Sequence, residues 1–412
     1  MVRRRTTVAR HARLHSPGVA GQLLTLLAAA VAVVLVAGAG TAAYALYDLN
    51  SSLVEDAVAL DDDLVVPPDI GQIEGGVNLF LIGIDECEPE YAHYFAARCK
   101  GADAANKLND VNILLHISDA PRRVTVVSFP RDLIFSAPGC TRTAGGEWGG
   151  GSIQINELYS LGGLSCATKA VSAMSEQDIP FAATLTFGGV IEITDAIGGV
   201  DVCLDKGMRD SNTGIDWPAG IHTVSGIDAL QFLRTRYGVG DQSDLARVSN
   251  QQQYMSRLAR KLASDEVLSD PATVYRLASS ALRSLTPNDR LTNPLTLVQI
   301  ALAVKDVPFD QIAFVQYPTL AAPGDANRVV PNYAAAEVLW DALATNEPID
   351  ITGGVSSNGG TVEVTPSPAP DGEPPASADP VPTDAATAVA LPPSITGSTA
   401  AQETCSSGNL SR

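Results

Sequence analysis

The stretch VTVVSFPRDLIF, Val124–Phe135, decides how this chain folds. Five of its first six residues are apolar or β-branched, without strict alternation, as in a strand covered on both faces. Pro130 interrupts the run. Arg131 and Asp132 then stand between two apolar segments, where desolvating either charge is costly. Two readings are open there. The pair caps a strand end at the water line, or Arg131 waits for an anionic ligand.

The same texture recurs outward from this stretch, at Val77–Ile84, Val111–Ile117, Phe181–Phe187, Val200–Leu204 and Ile312–Tyr317. Helical patterns lie between these runs. One covers Ile153–Gln177, interrupted by Gly162 and Gly163. A second, Val190–Ile197, ends at the cap pair Gly198–Gly199. A third, Val224–Leu233, leads into Arg234-Thr235-Arg236. Ser243 or Asp244 then caps a long helix with Leu245, Val248, Met255, Leu258 and Leu262 on one face. Further helices are predicted at 270–285, 294–304 and 332–345. Strands mixed with helices give an α/β fold, an α-β-α sandwich around a central mixed sheet.

The ends read differently. Residues 1–20 are basic, with no acid. Leu23–Leu46 is almost wholly apolar, long enough to cross a bilayer as a helix, and acids follow it. We therefore expect a cytoplasmic segment over 1–20, an uncleaved transmembrane anchor over 21–47 and a stalk over 48–74. A cleaved signal is the competing reading. Residues 75–350, with a core at 77–263, form the expected extracytoplasmic domain of a single-pass protein of the cell membrane. Residues 351–412, rich in Pro, Ala, Gly, Ser and Thr, are expected to be a disordered tail.

The 412 residues carry 27 basic and 46 acidic side chains, a net charge of −19. That balance argues against nucleic acid as a partner, so any anion site must be local. The six cysteines form no CxxC, and the five histidines offer no zinc spacing. Cys87–Cys99 and Cys140–Cys166 each bracket a loop and are the expected disulfides. Cys203 reads as a buried strand residue, and Cys405 has no assigned place.

Several charges do not fit a core: Asp85, Lys107, Asp110, Arg131, Asp132, Arg234, Arg236, Asp244 and Arg247, with Gln251 one turn beyond. Singly, strand ends and caps explain each. Together they have a chemical logic. Converging guanidiniums match phosphate oxygens, and nearby carboxylates suit a divalent cation. The start of the long helix adds free amides and positive dipole. The chain has no Walker loop and no HExxH. His93, His116 and His222 have no obvious nucleophile partner, so the set reads as a pyrophosphate clamp.

The blocks NLFLIGID, NDVNILLHIS, RRVTVVSFPRDL, INELYSLGG, DAIGGVDVCL, VSGIDALQFLRTR and DLARVSNQQ resemble, in the same order, those of the LytR–CpsA–Psr family. The resemblance covers about 77 to 263, with a looser extension to about 350. It implies a membrane-anchored, Mg²⁺-dependent phosphotransferase of Gram-positive cell walls, with Mn²⁺ as the alternative ion. Such an enzyme moves a glycopolymer from a polyprenyl-pyrophosphate carrier to a peptidoglycan hydroxyl. The resemblance places Asp85 and Asp110 at the metal and Arg131, Arg234, Arg236 and Arg247 on the pyrophosphate. Gln251 joins them on the pyrophosphate; Arg131, Arg236 and Asp110 are then the catalytic set, with Asp132 and Asp244 supporting. Two positions depart from the family pattern. Leu108-Asn109-Asp110 stands for the usual Arg-Ser-Asp, which leaves Lys107 as the stand-in cation, and Asn250-Gln251 stands for Arg-Gln. Two rival functions share this site: a pyrophosphate hydrolase, and a module that only binds lipid-linked precursors.

Overall fold

Backbone pairing joins the apolar runs into a seven-stranded mixed sheet. In chain order its strands are β1 (Val77–Ile84), β2 (Asn109–Ile117), β3 (Val124–Phe129), β4 (Phe181–Thr186), β5 (Leu285–Pro287), β6 (Ile312–Gln316) and β7 (Gly397–Thr399), and across the sheet they run β5-β4-β1-β2-β3-β6-β7. Pairs β1–β2, β2–β3, β4–β5 and β6–β7 are antiparallel, whereas β1–β4 and β3–β6 are parallel. This computed structural model describes residues 76–95, 99–100, 107–356, 358–364 and 388–411, together with 54, 57–62, 64, 66–67 and 71. The expected anchor at 21–47 lies outside the described residues, among which no helix is long and apolar enough to cross a membrane.

Among the described residues seven helices exceed eight residues: α1 (Leu158–Ser175), α2 (Phe187–Ala196), α3 (Gly226–Arg234), α4 (Asp244–Leu262), α5 (Pro271–Ser284), α6 (Pro294–Lys305) and α7 (Tyr333–Ala344). They cover both faces of the sheet. Phe80, Ile82 and Ile84 of β1 pack with Leu164 and Val171 of α1 and with Leu339 and Trp340 of α7. The alternate residues Leu79 and Leu81 face the other way, towards α6 and α4. Coverage on both sides explains why β3 is buried at all six positions and reads as a continuous apolar run. Phe129, Tyr317 and Trp340 stack beneath it, with ring centroids 5.0–6.4 Å apart.

Two boundaries differ from expectation. The 153–177 pattern begins as a strand, Gly151–Gln154, and becomes helical only at Ile155. Its glycine pair kinks α1. A Cβ on Gly162 would sit 2.6 Å from the Thr141 carbonyl oxygen, so the close approach of that loop requires glycine. Helix α2 starts at Phe187, three residues early, because Thr186 caps it by accepting from the Gly189 amide at 3.1 Å.

The tail expected over 351–412 is not a disordered segment where it is described. Residues 388–411 supply β7, and Thr361–Glu363 and Thr404–Ser406 join a second sheet in the order Gly220–Val224, Val200–Leu204, Thr404–Ser406, Thr361–Glu363. Leu391, Ile395 and Ala400 are buried in the core. Composition misleads here because these strands are three residues long and owe their order to distant partners. Cys203 and Cys405 lie at disulfide distance across 202 residues, beside the anticipated pairs Cys87–Cys99 and Cys140–Cys166. The Pro-rich residues 365–387 lie outside the described set. The stalk also ends earlier than expected: Val58 bridges Asn288, and Asp61 and Asp62 pair with Lys169 and Arg290.

Candidate active site

Strand β3 delivers Arg131 at its end, and a bulge between Gly83 and Ile84 of β1 sets Asp110 on the neighbouring strand. The Arg131 Nη1 donates to both Asp110 carboxylate oxygens at 3.1 Å. Its Nε lies 3.3 Å from Asp244 Oδ1, at the first turn of α4. Asp244 in turn holds Arg247 Nη2 at 2.6 Å, one turn along the same helix. Ser243 caps that helix by accepting from the Ala246 amide at 3.1 Å, which fixes the turn that presents Asp244. Residues from β2, β3 and α4 thus meet in one arginine–carboxylate cluster.

Burial opposes the Arg131 charge, but the carboxylates Asp110, Asp244 and Asp132 outweigh it and hold the guanidinium above its ordinary pKa. Burial, then repulsion from Asp244, raises the Asp132 pKa, against the pull of Arg131, Arg328 and Arg236. Asp132 accepts from Gln154 Nε2 at 3.1 Å and from Arg328 Nη1 at 2.8 Å. Arg328 and Gln154 escaped sequence reading. Arg328 arrives on a hairpin whose Val329 amide donates to the Asp132 carbonyl, and its own bond to the Asp132 carboxylate spans 196 residues, which no local pattern announces.

A cleft of about 430 Å³ opens beside the cluster, with Asp132, Arg236, Asp244 and Arg328 on its wall. Arg131 is not on that wall and reaches it through Asp244. Arg236 leaves the end of α3 on a loop that the buried Asp210 carboxylate holds, accepting from Thr235 Oγ1 and from the amides of Arg236 and Tyr237. Its Nε donates to the Gln242 carbonyl at 3.0 Å. Four guanidiniums, those of Arg131, Arg236, Arg247 and Arg328, therefore stand with three carboxylates in a chain of strongly negative net charge.

Other expected site residues are placed differently. Arg234 stacks on the Phe187 ring at 4.8 Å. Gln251 donates to the Leu233 carbonyl at 2.9 Å, tying α4 to the end of α3. Arg247 is only 5% exposed and committed to Asp244 and the Asp110 carbonyl. Lys107 pairs with Glu86 at 2.6 Å. Asp85 is buried beside Leu108, whose amide donates to its Oδ1 at 2.8 Å. Among the described residues no three His, Cys, Asp or Glu side chains are grouped to hold a metal by themselves. Two carboxylates near one sheet end still suit Mg²⁺, which binds through one or two carboxylates and completes its shell with substrate phosphates.

A mixed-sheet α/β domain with an arginine-lined cleft at its strand ends is thus the class that the fold and geometry define. The model of the LytR_cpsA_psr family matches residues 43–345, and the chain belongs to the LytR–CpsA–Psr family. It is 24% identical over 271 residues to the cell wall biosynthesis protein LcpA of Corynebacterium glutamicum, covering 61% of this chain and 51% of that one. It is 28% identical over 270 residues to the probable cell wall biosynthesis protein LcpB of the same organism, covering 65% and 61%. The chain thus spans only about half to three-fifths of those relatives. With the polyisoprenyl-teichoic acid–peptidoglycan teichoic acid transferase TagT of Bacillus subtilis it shares 23% identity over 302 residues, 71% of this chain and 85% of that one. A LytR-Csp2A-Psr enzyme from Actinomyces oris has the same fold, at TM-score 0.51 and 19% identity, covering 70% of this chain and 96% of the other. So has a protein from Streptococcus agalactiae, at TM-score 0.53 and 18% identity, covering 67% and 89%.

Proposed function

We propose that this protein transfers a glycopolymer from a polyprenyl-pyrophosphate carrier to a hydroxyl of peptidoglycan, forming a phosphodiester link outside the cell. The observation that carries the reading is Arg131, held ready between Asp110 and Asp244 beside a cleft whose wall bears Arg236 and Arg328. The names of its relatives, two in cell-wall biosynthesis and one a peptidoglycan teichoic acid transferase, support the same chemistry.

The diphosphate enters by replacing carboxylate partners of guanidiniums that are already oriented, so little ordering remains to be done on binding. Arg236 and Arg328 grip the phosphates from the cleft wall, and Arg131 and Arg247 back them through Asp244. An acceptor hydroxyl oxygen forms a bond to the sugar-proximal phosphorus. The bond from that phosphorus to the bridging oxygen breaks, and polyprenyl phosphate leaves. This transfer demands positioning and charge neutralisation more than covalent help. Asp132, with its raised pKa and a place on the wall, is suited to take the hydroxyl proton. Asp110, with both oxygens on Arg131, orients. Asp85 and Asp110 would hold Mg²⁺, which when bound neutralises charge developing on the phosphates.

The test offers the purified protein a lipid-linked glycan and peptidoglycan and follows phosphodiester-linked product by mass spectrometry. Arg236→Ala leaves its local fold intact, since its side chain stands on the cleft wall and donates to a main-chain carbonyl, and should lower the rate roughly a hundredfold. Near-normal transfer by that variant would overturn the assignment. Release of glycan phosphate without linked product would favour the hydrolase.

A further inference from the structure

The family match ends at residue 345, yet the chain beyond it touches the cleft. The loop 237–242 joins Arg236 to the capping residue of α4, and later residues tie it down on two sides. On one side the Gly240 amide donates to the Ser407 carbonyl at 2.9 Å, and the Asn409 amide donates to the Gly238 carbonyl at 2.8 Å. Asn409 Nδ2 adds a bond to the Gly240 carbonyl at 2.9 Å, Gln242 Nε2 donates to Ser411 Oγ at 2.7 Å, and Gly408 bridges Val239. On the other side Asn358 Nδ2 donates to Asp241 Oδ2 at 3.0 Å.

The C-terminal segment is itself anchored. Cys405 lies at disulfide distance from Cys203, and the Gly408 amide donates to Asp205 Oδ1 at 3.1 Å. These contacts bear on the cleft because Gln242, in the clamped loop, supplies the carbonyl that orients the Arg236 guanidinium. An arginine on an untethered loop would lose this fixed direction, and its phosphate contact would carry the entropy of ordering the loop.

We infer that residues 405–411 are a positioning clamp for Arg236, acting through Gln242, so that diphosphate affinity depends on a segment outside the family domain. The inference rests on the proposed function of the cleft. Its test measures binding of geranylgeranyl pyrophosphate to the full-length protein, to a chain ending at Ser406, and to Asn409→Ala, each with Arg236 present or replaced by Gln. The truncation keeps the Cys203–Cys405 pair, and Asn409→Ala serves should the shortened chain not fold.

With Arg236 present, either change should weaken binding roughly tenfold, the scale of one charge-assisted hydrogen bond. In the Arg236→Gln background neither should weaken it further, because a clamp that works only through Arg236 has nothing left to position. Equal losses in both backgrounds would reduce the segment to a general structural part and overturn the clamp. Unchanged binding by both variants, with Arg236→Gln impaired, would overturn the clamp alone. Undiminished binding by Arg236→Gln would overturn the site and the clamp with it.

Discussion

Arg131 joins structure and function in one side chain. Its guanidinium neutralises Asp244, which is only 6% exposed, and both oxygens of Asp110. Arg131→Ala therefore removes a cation that backs the phosphate site, leaving Asp110 without its guanidinium and Asp244 with Arg247 alone. We expect a loss of about 3 kcal/mol of stability together with transfer. Adding Asp110→Asn, which removes the carboxylate left without its guanidinium, should restore part of the melting temperature and leave transfer absent, which separates the two roles in paired melts and assays. His116 offers a test of stability alone. It is buried on β2, with Nδ1 2.9 Å from Asn78 Oδ1, and burial pushes its pKa down to about 4. The unfolded chain regains the ordinary value near 6.5, so below that pH unfolding takes up a proton that the fold refuses. Stability should fall by up to about 3 kcal/mol as pH drops from about 6.5 to 4. The acid sensitivity of melting should flatten in His116→Gln, and an unchanged slope would remove His116 as its cause.

Among the elements, the long buried ones were legible and the short borrowed ones were not. Strands β1, β2, β3 and β6 are apolar because helices cover them, so their own composition reveals them. The start of α4 was legible because Ser243 and Asp244 carry cap chemistry. Arg131, Asp110, Asp244 and Arg247 were readable as a set, for each sits at a strand end or helix start. Arg328 and Gln154 were not, since a hairpin and a short strand bring them in from far along the chain. The 388–411 segment failed for the same reason: its strands are three residues long and are ordered by distant partners. Gly360, in the 358–364 segment beside it, approaches α4 closely, and an added Cβ there would lie 2.2 Å from the Ala246 carbonyl oxygen. Gly360→Ala should force the segment off the helix, costing about 2 kcal/mol in a denaturant melt. No change in midpoint would mean that the approach is looser than the contact indicates.

Across the whole molecule, one covalent link has the longest reach. The Cys203–Cys405 pair closes 202 residues of chain, and the chain-entropy account gives such a loop about 5 kcal/mol. Cys405→Ser should lower the melting temperature more than loss of Cys87, whose loop spans 12 residues. A smaller effect for the long loop would show that the denatured chain is already compact there. The position of the Thr404–Ser406 strand inside the second sheet, with β7 closing the edge of the first, also bears on biosynthesis. A nascent chain that has reached residue 390 leaves β6 without its outer neighbour and the Val200–Leu204 strand bare on one side. Residues 397–406 cover both of those edges, so a product terminated before them would be adhesive and displayed to proteolytic surveillance, while a chain that includes them conceals the mark of incompleteness.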